Sequence, residues 1–102
     1  MPHLFMVELD IPLEHESEFN RVYDSEHFPS LAKVPGVLSA ARYRLETSSD
    51  ATMARYWALY EVLSPAVVES EAWQKAAEFG VWIKKIRPLL TARDHSYFER
   101  IL

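Results

Sequence analysis

The sequence has no cysteine and only two glycines, Gly36 and Gly80, in 102 residues. The first absence excludes disulfide frameworks, thiolate zinc sites, iron–sulfur clusters and cysteine nucleophiles. The second excludes phosphate-cradling loops, because the P-loop and the dinucleotide fingerprint each need two or three glycines close together. There is no His-x-His and no His-Glu-x-x-His, so no dedicated metal site is expected, and no Gly-x-Ser-x-Gly elbow of a serine hydrolase. No stretch approaches the roughly 18 apolar residues that span a bilayer. The N-terminal residues lack a basic region and a long apolar run, so a secretory leader is not expected either. The expectation is a cytoplasmic protein without a membrane partner. The one basic cluster, Lys84, Lys85, Arg87 and Arg93, reads as a solvated face, so no nucleic-acid partner is expected.

What is present is ordinary for a globular protein. Apolar residues make up 49% and charged residues 25%, which sets aside disorder and places 1–102 in a single domain. The net charge of −4 is uneven. Residues 1–51 hold nine acids and four bases, and 52–102 hold six acids and seven bases, so the second half carries the cationic surface.

The hydrophobic pattern orders the elements. Residues 4–11 are apolar apart from Glu8 and Asp10 and read as a strand ended by Pro12. Residues 13–27 read as a helix, with Glu14, Glu16 and Glu18 near its positive end and Phe19, Val22 and Tyr23 as its buried stripe. Pro29 is expected to break or kink that helix at Phe28, with a further turn over 30–34 and a Pro35-Gly36 turn after it. Residues 37–45 read as a second strand and 54–62 as a third, joined by a polar loop. Ser64-Pro65 offers an N-cap and an N1 proline for a helix over 65–79, broken at Gly80 and resumed over 81–90. A last strand covers 93–101. The order β-α-β-β-α-β is the ferredoxin-like one: an α+β fold with a four-stranded antiparallel sheet and helices on one face. Its other face carries too many large apolar groups for water, and a second copy packed against it gives a dimeric α/β barrel.

Residues 19–29, Phe-Asn-Arg-Val-Tyr-Asp-Ser-Glu-His-Phe-Pro, followed by Val34-Pro35-Gly36-Val37, resemble the EthD-like family of that barrel superfamily. The shared features are a tyrosine, a His-x-Pro a few residues on, and a Pro-Gly turn into the second strand. Leu59-Tyr60-Glu61-Val62 on the third strand also looks like members of that family. The resemblance implies a homodimer, no cofactor, and His27 as the usual candidate functional residue. The wider superfamily includes polyketide cyclases, cofactor-free monooxygenases, lactone isomerases and haem-degrading oxygenases. The haem degraders use an asparagine on the first strand and a histidine on the second helix, and this chain has neither.

The residue chemistry points to the same place. An imidazole accepts and donates protons near neutrality. At helical spacing Tyr23 and Asp24 lie four and three residues before His27, so Asp24 could orient the ring and Tyr23 could polarise a carbonyl. The plainer reading of His27 is a cation favoured by the C-terminal end of a helix, with Tyr23 as core. His95 shares a strand face with Tyr97 and is either a pocket residue or a rim residue. Arg42 and Arg44 share a face of the second strand, where they either hold a ligand's carboxylate or phenolate or pair with Glu8 and Asp10. Tyr56 and Tyr60 are candidates to line a site for a small apolar or aromatic ligand. Two functions follow: a cofactor-independent enzyme acting on an aromatic or polyketide-like carbonyl compound, or a non-catalytic binding protein on the same scaffold.

Overall fold

A computed structural model describes residues 2–102. Strand β1, His3–Asp10, alternates strictly: Phe5, Val7 and Leu9 are buried, while Leu4, Met6, Glu8 and Asp10 face the other way. Strand β3, Tyr56–Val62, does the same with Tyr56, Ala58, Tyr60 and Val62. With β2, Val37–Arg44, and β4, Ala92–Glu99, they form one antiparallel sheet in the order β2-β3-β1-β4. All the helices lie on the face that carries the buried residues, as the ferredoxin-like order requires. The strands expected from the sequence are present to within two residues at each end.

The first helical stretch differs from expectation in a physically informative way. Leu13–His15 is a 3₁₀ turn, α1 runs Glu16–Val22, and α2 runs Phe28–Ala32. Between them Tyr23–His27 forms a π turn, closed by the Phe28 N–H donating to the Tyr23 carbonyl. Pro29 therefore does not break the helix: Phe28 keeps right-handed helical geometry at φ −63° and ψ −50°. In a regular α-helix the proline ring would clash with the carbonyl four residues back, and the wider turn relieves that clash. The same device recurs before Pro88, where Trp82–Ile86 is a second π turn closed by Arg87 N–H onto the Trp82 carbonyl.

The second helical stretch is less continuous than the pattern over 65–90 implied. Pro65–Val67 is a single 3₁₀ turn, and Ser64 makes no side-chain cap. Ser70 caps instead: its Oγ accepts the Trp73 N–H at 3.1 Å and starts α3, Glu71–Ala77. Gly80, at φ +75°, ends this stretch in the left-handed region that favours glycine. A Cβ there would also overlap the Glu26 carboxylate, which accepts the Val81 N–H at 3.1 Å. Glu26 thus ties the first π turn to the entry of the second.

The core lies between the sheet and the helices, built on Phe19, Val22, Tyr23, Tyr60, Ile86 and Trp82. The opposite sheet face stays open. Register puts Leu4, Met6, Ala41, Tyr43, Trp57, Leu59 and Phe98 on it, with Tyr43 59% and Phe98 47% exposed. Among the described residues, no helix is long and apolar enough to cross a membrane.

Candidate functional site

A cavity of about 480 Å³ opens between the helix-side face of β1 and β4 and the stretch formed by α3 and the second π turn. Three strand residues of β4, Arg93, His95 and Tyr97, stand opposite Leu9, Val7 and Phe5 of β1 and face it. From the other side come Trp73, Gln74, Trp82 and Arg87, and from the first π turn Tyr23 and His27. The cavity is therefore aromatic along its walls and carries two imidazoles and two guanidiniums.

His27 is the most buried polar residue of the wall, 7% exposed. The two π turns meet at this point: the imidazole stacks on the Trp82 indole at 4.2 Å and 17°, and meets the Tyr23 ring edge-on at 5.0 Å. Its Nδ1 is sealed from solvent without a hydrogen-bond partner, which leaves Nε2 as the nitrogen able to serve the cavity. Burial disfavours the imidazolium, and the nearby charges of Arg93, Arg42 and Arg87 add to that, so its pKa falls to about 3. At neutral pH His27 is an uncharged imidazole. His95 stacks on Phe5 at 5.4 Å and 19°, and its pKa is also lowered, by partial burial and then by Arg93 and Arg87.

The residues proposed from the sequence divide into two places. His27, Tyr23 and His95 come together at the cavity. Asp24 does not join them. It turns to the outside of the helix and pairs with Arg42, leaving its side chain 62% exposed. The three-residue spacing brings Asp24 to His27 only in a regular α-helix, and the π turn rotates the two side chains apart.

Arg42 and Arg44 cannot pair with Glu8 and Asp10, because β3 lies between β2 and β1. Arg42 bonds Asp24 and the Asn20 Oδ1 (3.0 Å) and lies 4.3 Å over the Tyr23 ring. Asp10 is paired by Arg55 at 2.8 Å instead. Arg42, Arg44 and Tyr56 border a separate hollow with Asn20, Asp24 and Tyr43, and Asn20 donates to the Tyr56 hydroxyl at 3.2 Å. Tyr60 is fully buried, its hydroxyl 3.2 Å from that of Tyr23, so it anchors a cavity residue without lining the cavity. Burial raises the Tyr23 hydroxyl to about 12, against the lowering effect of the Tyr60 contact and of Arg42, and Tyr23 stays a neutral phenol.

Sequence reasoning missed Arg87, Arg93, Trp73 and Gln74 as cavity residues. Arg93 was legible: in a strand it shares a face with His95 and Tyr97 by alternation. Arg87 was not, since its direction depends on the second π turn.

No family model and no curated protein matches the chain. Solved structures do. An ethyl tert-butyl ether D (EthD) family protein from Bacillus halodurans C-125 superposes with a TM-score of 0.72 at 15% identity, over 99% of this chain and 100% of that one. A protein of Bordetella bronchiseptica proposed as an antibiotic biosynthesis monooxygenase gives 0.71 at 15%, over 99% and 98%. The haem-degrader MhuD of Mycobacterium tuberculosis, with two haems bound in its active site, gives 0.69 at 18%, over 98% and 96%. At such identities the likeness is one of architecture: the chain has the ferredoxin-like α+β fold that these EthD, monooxygenase-type and haem-degrading proteins share.

Proposed function

We propose that the chain is a small cofactor-independent enzyme that uses His27 as its acid–base group on an aromatic or polyketide-like carbonyl compound. The observation that carries this reading is a neutral, unpartnered imidazole at the wall of an aromatic cavity. Isomerisation, cyclisation and cofactor-free oxygenation of such compounds share one opening step. Nε2 takes a proton from the carbon beside the carbonyl, and the electron pair passes to the carbonyl oxygen as an enolate. Arg93 and Arg87 favour that developing negative charge. The neutral Tyr23 phenol and the Trp82 face hold the imidazole in place.

A second reading, binding without turnover, is favoured by one observation: burial leaves the empty-site His27 a weak base. In both readings a second copy covers the open sheet face. Hydrogen–deuterium exchange at the activated carbon of a panel of aromatic β-dicarbonyl compounds separates them, because it needs no knowledge of the product. The wild type accelerates exchange over buffer, and His27→Gln loses about 10²–10⁴ of that rate while keeping its melting temperature. Equal exchange in wild type and variant overturns the role of His27. Binding of the compounds with no exchange favours the second reading. Native mass spectrometry of the same samples should give twice the 11.9 kDa chain mass.

A further inference from the structure

Three features of the cavity bear on what it admits. First, Arg87 and Arg93 line it with no acidic partner and no hydrogen bond among the described residues. Arg21, Arg42 and Arg55 are each held by a carboxylate; Arg87 and Arg93, like Arg44 outside the cavity, are exposed without one, but only these two face the cavity. Secondly, the cavity is polarised. Arg93 and His95 stand two residues apart on the cavity face of β4, so a guanidinium is fixed beside an imidazole, and Arg87 and His27 line the same wall from the helical side. The acids on the wall, Glu69 and Glu78, flank α3 and are exposed. Asp94, beside His95, lies on the opposite sheet face. Asp24 is taken up by Arg42, Glu26 by the Val81 N–H, and Lys84 and Lys85 are exposed on the outside of the second π turn. Thirdly, the walls between the two ends are flat aromatic surfaces: Phe5, Trp73, Trp82 and Tyr97.

We infer that the cavity takes a planar aromatic anion, a carboxylate or phenolate, whose negative group is held by Arg87 and Arg93 beside His27. The ring system lies against the indoles. Charge-assisted bonds from two unpaired guanidiniums give the anion its preference, and the aromatic walls give the ring its own. The anion also changes His27. After burial, the larger cause, Arg93, Arg42 and Arg87 disfavour the imidazolium, and a bound anion offsets that part and raises the basicity of the ring. The inference deepens the acid–base reading above, since it makes the substrate's own charge the element that readies His27.

Calorimetry with 2-naphthoate and 2-naphthamide at pH 7 tests it. The two probes share shape and differ in charge. The wild type is expected to bind the naphthoate about tenfold more tightly or better. The ratio should fall to about one in the Arg87→Gln/Arg93→Gln double variant and persist in Arg44→Gln, a control at a surface arginine outside the cavity. In a histidine NMR titration, the naphthoate should raise the pKa of His27 and the naphthamide should leave it unchanged. Equal binding of both probes, absence of naphthoate binding at millimolar concentration, or a ratio that survives in the double variant overturns the inference. None of those outcomes touches the exchange assay, so the anion preference and the acid–base role of His27 fail separately.

Discussion

The two halves of the space beneath the sheet are built from similar parts and end differently. Under β2 and β3, the first helical stretch packs closely at its centre: Tyr56, Ala58, Tyr60 and Val62 are at most 4% exposed, and Phe19 meets Tyr23, Tyr56 and Trp82 at ring distances of 4.9–6.0 Å. Of the two arginines on this face of β2, Arg42 is paired and stacked and Arg44 is exposed. Under β1 and β4 a cavity of about 480 Å³ remains. There β4, an edge strand, presents Arg93, His95 and Tyr97 where β3 presents tyrosines and alanine. The covering stretch is broken at Gly80, so it lowers Trp73, Trp82 and Ile86 onto the sheet rather than a continuous apolar stripe. The arginines in this half are unpaired. One half spends its side chains on packing; the other keeps exposed guanidiniums free of carboxylates beside His27, whose buried Nδ1 has no partner.

Three measurements would sharpen or break that contrast. The largest effect belongs to the packed half. Phe19→Ala removes a fully buried ring from a site with no room to collapse, and should cost about 3–5 kcal/mol in urea unfolding. A loss below about 1 kcal/mol would mean that this half is not tightly packed. Next comes His27, at the border of the halves. Below pH 6.5 the unfolded chain takes up a proton there that the folded chain refuses until about pH 3, so folding weakens as pH falls through that window. Between pH 7 and pH 4 the wild type should lose about 3 kcal/mol more stability than His27→Gln. Parallel pH profiles of the two proteins would show instead that the ring charges freely. The smallest effect compares arginines. Arg42→Gln should cost about 1 kcal/mol, through its carboxylate and its stacking on Tyr23, and Arg93→Gln less than about 0.5 kcal/mol. Equal costs would place Arg93 in the packing framework and remove the reason to read it as a ligand group.

Much of this molecule is visible in the chain itself. The apolar runs Leu4–Leu9 and Tyr56–Val62 give both strands, and alternation divides each into two faces, but both faces are apolar enough that only the packed helices decide which one is buried. The helical stripe of Phe19, Val22 and Tyr23 is legible for the same local reason, and so is the turn at Gly36, which takes φ +96°. His27 and His95 stood out as residue types, and the fold brings both to the cavity. Asp24 and the arginines of β2 were misplaced because their neighbours are set at a distance. A helix of uniform pitch would carry Asp24 toward His27, but the π turn before Pro29 adds a residue to that turn and sends it to Arg42. The order β2-β3-β1-β4 decides that Arg42 meets the first helix and not Glu8. The sequence by itself determined the element types and the residues able to move a proton, since each depends on local periodicity and side-chain chemistry, and it left open which face of each strand is buried. Only the tertiary structure decided that two π turns would stack His27 on Trp82 and leave Arg87 and Arg93 without partners around one cavity. Strand order and helix phase combine contributions from residues far apart in the chain, and no local pattern records their sum.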